Sequence, residues 1–148
     1  MDEEEFKEVY HSVNALRCVF EKAVLTRRFA CEKLVRINIA EREAAGCTDP
    51  AAQRQCSEVL EQLRGAAAFA LKLTHVSGPL PHAREIKVQC GGLLGLQETV
   101  SAATTGDGVP NIFALIIAAR NEYGGLNRLP LQQIVQSVTR YQGRRKRR

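Results

Sequence analysis

The 148 residues fit one domain with room for a core, and the 45% hydrophobic and 25% charged content is that of an ordinary soluble protein. The net charge of +5 is concentrated at one end: of 21 basic residues, five form the terminal run Arg144, Arg145, Lys146, Arg147 and Arg148, and the 16 that remain equal the 16 acidic ones. A neutral body excludes a broad basic groove that tracks many phosphates, and the longest apolar run, Ile112 to Ala119, falls far short of the roughly 20 residues that span a bilayer.

The first 45 residues contain neither glycine nor proline and can be written as a heptad repeat. With Phe6 at position a, that series continues Val13, Phe20, Arg27, Leu34 and Glu41, while position d holds Val9, Leu16, Ala23, Ala30, Ile37 and Ala44. The pattern predicts one helix over 6–44, roughly 58 Å long at the α-helical rise. Phe6, Val13, Phe20, Arg27 and Leu34 are its candidate assembly seam, with Arg27 either the charged interruption that fixes register or an arginine whose stem packs while its head reaches water. Val19, Leu25, Phe29, Val35 and Ile39 lie off that seam, and this surplus apolar surface points to a second copy of the chain and a homodimer.

Gly46 suits a helix end, and Cys47-Thr48-Asp49-Pro50 is a helix start signal, with Thr48 or Asp49 as cap and Pro50 in the first turn. A second helix is predicted over 50–76, striped by Ala52, Cys56, Val59, Leu63, Ala66, Ala70 and Leu73 and paired antiparallel with the first. After the break Ser77-Gly78-Pro79-Leu80-Pro81, residues 82–104 read as a third helix. Alternation of Ile86, Val88 and Cys90 leaves a strand open over part of it. Gly91, Gly92 and Gly95 would each cost such a helix roughly 1 kcal/mol, so close packing against a neighbour is expected to compensate. Asn111 should cap a helix from Ile112 to Tyr123, stopped by Gly124-Gly125, and Pro130 opens a last one striped by Leu131, Ile134, Val135, Val138 and Tyr141. The expected architecture is an all-α bundle of four to five helices over 1–143, followed by a disordered basic tail over 144–148.

Chemistry is thinly signalled. The five cysteines, Cys18, Cys31, Cys47, Cys56 and Cys90, are odd in number, irregularly spaced and free of any Cys-x-x-Cys pair. With the acidic start Asp2-Glu3-Glu4-Glu5, this favours free thiols in a cytoplasm, or a nucleus in a eukaryote. Cys47, in the turn before a helix N-terminus, is the leading reactive thiol, with Cys56 the second; buried free cysteine as a small hydrophobe is the plainer reading. His11, His75 and His82 show no paired Glu-x-x-His motif, and no nucleophile elbow, P-loop or dinucleotide fingerprint occurs, so no catalytic residue, metal or cofactor is assigned. The last two helices outline a helix-turn-helix with Gln132, Gln133, Gln136 and Arg128 near the reading position, but an ordinary hairpin with solvent-facing glutamines is the favoured reading. The expected function is a non-enzymatic assembly or binding module whose basic tail contacts a polyanion such as nucleic acid. The alternative is a thiol- or metal-responsive regulator using Cys47 or Cys56.

Overall fold

Residues 2–71, 80–100 and 106–142 are described by the computed structural model. Helix α1 (Glu3–Val13) starts on Asp2, whose carboxylate accepts from the Glu5 amide at 2.8 Å, with Glu3, Glu4 and Glu5 placed favourably in the first turn. It ends at Asn14, whose side chain turns inward and donates to the Ala45 carbonyl at 3.0 Å. A single helical turn, α2 (Glu21–Val24), follows, and then a hairpin of β1 (Leu34–Ile39) and β2 (Arg42–Cys47) in antiparallel register from Leu34 opposite Cys47 to Ile39 opposite Arg42. Arg17 pairs with Gly46 on the free side of β2.

The expected all-α bundle, its single N-terminal helix and the antiparallel pairing with the second helix are therefore overturned by this hairpin. The reason lies in Phe20 and Phe29, both in the core at 0% and 1% exposure. Nine residues apart on an α-helix, they would point to opposite faces. The turns after α2, where Arg27 takes a left-handed φ of 75°, bring both into one core. Over 34–39 the alternation of Val35, Ile37 and Ile39 is a β pattern that coincides with the heptad at Ile37. The two-residue turn Ala40-Glu41 hides the hairpin, because its left-handed position (φ 54°) holds alanine where glycine or asparagine would signal it. Much of the apolar surplus assigned to a second copy is covered within the chain: Phe29 and Ile39 are buried and Val19 packs on the core.

The remaining elements follow their local signals. Asp49 caps α3 (Pro50–Ala70), accepting from the Ala51 and Ala52 amides, with Pro50 in the first turn. The expected continuation to residue 76 runs outside the described residues. The segment left open between helix and strand is helical, in α4 (His82–Thr99); α5 (Ile112–Tyr123) is capped by Asn111 and ended by Gly124 at φ 76°. A 3₁₀ turn (Leu126–Arg128) leads to α6 (Leu131–Arg140), whose Ile134 and Val138 are buried. Helix α6 packs chiefly on α4, then α3, and leaves Gln132, Gln133 and Gln136 exposed, as an ordinary helix would.

Helix α4 is the centre. Its glycines let α6 approach backbone to backbone: a Cβ at Gly91 would lie 2.7 Å from Val138 Cα, and one at Gly95 would lie 2.7 Å from the Ile134 carbonyl oxygen. This is the compensation the sequence called for. At the other end, Glu85 is 1% exposed and receives Arg64 Nε at 3.0 Å and Nη2 at 2.9 Å, Gln89 Nε2 at 2.7 Å and the Leu80 amide at 3.1 Å. Gln89 in turn accepts from the Ala23 amide of α2 at 3.1 Å. Burial works to raise the Glu85 pKa, but hydrogen bonds from Arg64, Gln89 and Leu80 and the Arg64 charge outweigh it and hold the carboxyl below its usual range.

Two outcomes follow. Gly91→Ala and Gly95→Ala should each lower stability by about 1–3 kcal/mol in urea titration, despite alanine's higher helix propensity, because the neighbour is backbone and does not yield. Glu85→Ala should cost about 3–5 kcal/mol at neutral pH by stranding Arg64. Since the native carboxyl titrates below its unfolded value, its contribution is complete above the ordinary carboxylate range and is lost as pH falls through the native pKa. Urea titrations across the acid range should show the gap to the variant shrinking there.

Candidate thiol site

Four of the five cysteines fall within residues 18–56, and the fold brings all four to the wall of one small cavity of about 20 Å³. Each comes from a different segment. The Arg17–Gly46 bridge lays the 16–18 segment along β2: the Cys18 amide donates to the Ala45 carbonyl at 3.0 Å and the Cys47 amide to that of Leu16 at 2.8 Å, so Cys18 and Cys47 become lateral neighbours. Cys31 sits in the turn that opens β1, where its carbonyl accepts from the Leu34 amide at 3.1 Å and its sulfur from the Lys33 amide at 3.5 Å. That turn is held from the far side by Asn111, which accepts from the Glu32 amide at 3.1 Å. Cys56 lies one turn beyond Ala52 on the face of α3 that meets the cavity.

All four thiols are half-buried, and the rest of the wall includes Phe20, Leu34, Ala52 and Ile112; among the described residues no carboxylate or histidine lines it. Burial pushes the Cys18 thiol up to about 12, with the negative forms of Cys31, Cys47 and Glu21 adding to the rise. Cys56 is driven up by burial and then by Cys18, Cys31 and Cys47. The Cys47 sulfur donates to the Asp49 carbonyl at 3.3 Å. The first amides of α3 go to the Asp49 side chain, and hydrogen bonds from Ala52 and Ala51 together with the Lys33 charge hold its carboxyl below the usual range. Among the described residues, no three His, Cys, Asp or Glu side chains are set to hold a metal ion as they stand.

Cys90 belongs elsewhere. It is fully buried on α4 beside Tyr141, and burial raises its thiol to about 11 against the lowering influence of Tyr141 and Arg28. The proposed seam residues disperse. Phe6 lies half-buried on α1 beneath the Arg42 guanidinium at 4.3 Å; Val13 is exposed at the end of that helix; Phe20 is core. Arg27 is an exposed turn residue paired with Glu43 at 2.6 Å, and Leu34 begins β1. His82 opens α4 with its ring 2.7 Å from Lys22 Nζ, while His75 and the run Arg144 to Arg148 lie outside the described residues. Cys18 and Cys31 were missed as site residues because a continuous helix would set them on different faces. Their clustering in sequence with Cys47 and Cys56 is the signal that could have found them.

No protein-family model, curated protein or solved structure matches the chain. The raised thiols predict that, at pH 8, Cys18 and Cys56 react with iodoacetamide at least about tenfold more slowly in the folded chain than in urea, as read by peptide mass spectrometry.

Proposed function

We propose that the chain is a non-enzymatic, thiol-responsive regulatory module in which Cys18, Cys31, Cys47 and Cys56 act as one group. The observation that supports this is the convergence of four thiols from four segments on a single cavity. A lone buried cysteine is a small hydrophobe; four around a space of about 20 Å³ share their surroundings, so a change at one alters the others. A bulky adduct there would crowd Phe20 and Leu34 between β2 and α3, which offers a route from a chemical event to a movement of the hairpin layer. Among the described residues the wall holds no histidine or carboxylate to act as a proton-transfer partner, which favours a regulatory reading over a catalytic one.

The terminal run Arg144 to Arg148 supports a second, compatible role: a weak, salt-sensitive contact with a polyanion such as nucleic acid, releasing about four to five counterions. Self-association as a homodimer loses its main support, since the surplus apolar residues are in large part covered within the chain.

Coupling is the test. Blocking Cys31 or Cys47 by alkylation, or replacing either with serine, should change the alkylation rate of Cys18 and Cys56 several-fold while leaving Cys90 unaffected. Independent rates at all five sites would overturn the reading.

A further inference from the structure

We infer that Tyr10 is a phosphorylation site, and that its phosphate frees α1 from the hairpin layer. Placement points to it first. Of the three tyrosines, Tyr123 and Tyr141 pack against the core, whereas Tyr10 sits half-buried on α1, which buries none of its own residues. A kinase must draw its substrate segment out to set the hydroxyl at the γ-phosphate of ATP, and a helix held only at its surface yields in that way at small cost. Charge points to it second. Asp2, Glu3, Glu4, Glu5 and Glu8 precede Tyr10, against Lys7 alone. A tyrosine kinase with a basic substrate groove complements that flank. Tyr141 instead follows Arg140 and precedes the run Arg144 to Arg148, and Tyr123 has both Arg120 and Glu122 before it.

The consequence comes from Glu21. The Tyr10 hydroxyl donates to both of its carboxylate oxygens, at 3.1 Å and 3.0 Å, and one of these also accepts from the Ala45 amide of β2 at 2.8 Å. Burial first, and then the Glu21 charge and hydrogen bond, raise the Tyr10 pKa to about 12 against the lowering influence of Arg17, so the hydroxyl is held as a donor facing negative oxygens. Phosphorylation removes that donor and reverses the sign of the interaction. The Tyr10 oxygen attacks the γ-phosphorus of ATP, the bond to the bridging oxygen breaks with its electron pair leaving on ADP, and the hydroxyl proton passes to the kinase's carboxylate base. The product sets about two negative charges near pH 7 against Glu21. Arg17, the neighbouring cation, is exposed and offsets one of them. The repulsion acts on the C-terminal half of α1, away from the ties of Arg42 to Glu3 at 3.2 Å and over the Phe6 ring at 4.3 Å.

The test treats the full reduced chain with Mg²⁺-ATP and a tyrosine-kinase domain that prefers acidic substrates, its activity first established on a peptide of residues 1–16. Peptide mass spectrometry should find phosphate entering Tyr10 at least about tenfold faster than Tyr123 or Tyr141. A glutamate-specific protease then reads the freedom of α1 through its cut after Glu5, normalised to the same cut in the matching peptide. Phosphorylation should speed that cut about tenfold or more. Tyr10→Phe loses the hydroxyl and gains no charge, so it should take no phosphate at that position and speed the cut only about threefold. Glu21→Gln keeps an oxygen for the Ala45 amide but removes the opposing charge, so the gain on phosphorylation should shrink several-fold in that variant. Phosphate that goes first to Tyr123 or Tyr141, or a folded chain that takes none at Tyr10, overturns the site. A cut that phosphorylation leaves unchanged, or speeds equally in Glu21→Gln, overturns the release. Neither result bears on the coupling of the four thiols.

Discussion

The carboxylate of Glu85 is the constraint around which the other packing decisions are made. A charge at 1% exposure is tolerable only when its oxygens are fully engaged, and four donors from three segments engage them. Arg64 fixes the rotation of α3 against α4, Leu80 fixes the approach to α4, and Gln89 passes the order on to α2 through the Ala23 amide. Among the described residues no buried side-chain nitrogen or oxygen lacks a partner, so the network specifies one arrangement and not several. With α4 held in that rotation, its glycine face is aimed at α6 and Leu63 of α3 meets Gly92.

Legibility divides at residue 48. Beyond it, several starts and stops had a local chemical cause, such as the Asp49-Pro50 cap, the Asn111 cap and the left-handed Gly124, and those causes act whatever the tertiary context. Before it, apart from the Asp2 cap that opens α1, no such punctuation exists, and periodicity alone had to decide. Over 34–39 the heptad claims Leu34 and Ile37 while the two-residue alternation claims Val35, Ile37 and Ile39, so apolar residues satisfy both patterns, and the turns at Arg27 and Ala40 use residues that carry no turn signature. What settles the matter is long-range: both phenylalanines reach the same core only if the chain bends.

The thiol site was hidden for the same reason. A site on one helix leaves a spacing rule in the sequence; a site assembled from a lateral strand contact, a turn, a strand end and a helix leaves only a crowding of one residue type. Cys47 and Cys56 were visible singly, just before and within α3, but their relation to Cys18 exists only through the pairing of Arg17 with Gly46, and to Cys31 only through the pairing of Leu34 with Cys47. That pairing also explains Gly46 itself. Its Cβ position lies 2.6 Å from the Asn14 amide oxygen and 3.0 Å from Val35, so it is a contact glycine in a strand and not the helix terminator its neighbours suggested.

Helix α1 buries none of its own residues. Its ties to the rest are side-chain tips: Tyr10 to Glu21 at 3.0 Å, Arg42 over the Phe6 ring, and Arg42 to Glu3 at 3.2 Å, with the Asn14 anchor just past its end. Such a helix opens without disturbing the core, at a free energy well below that of global unfolding. Its amide protons therefore exchange with solvent through local fraying while those of α4 wait for the whole molecule to come apart. The chain carries a loosely latched outer segment over a centre that opens only as a unit. Glu21, which accepts from both Tyr10 and the Ala45 amide at 2.8 Å, is the hasp that joins that segment to β2.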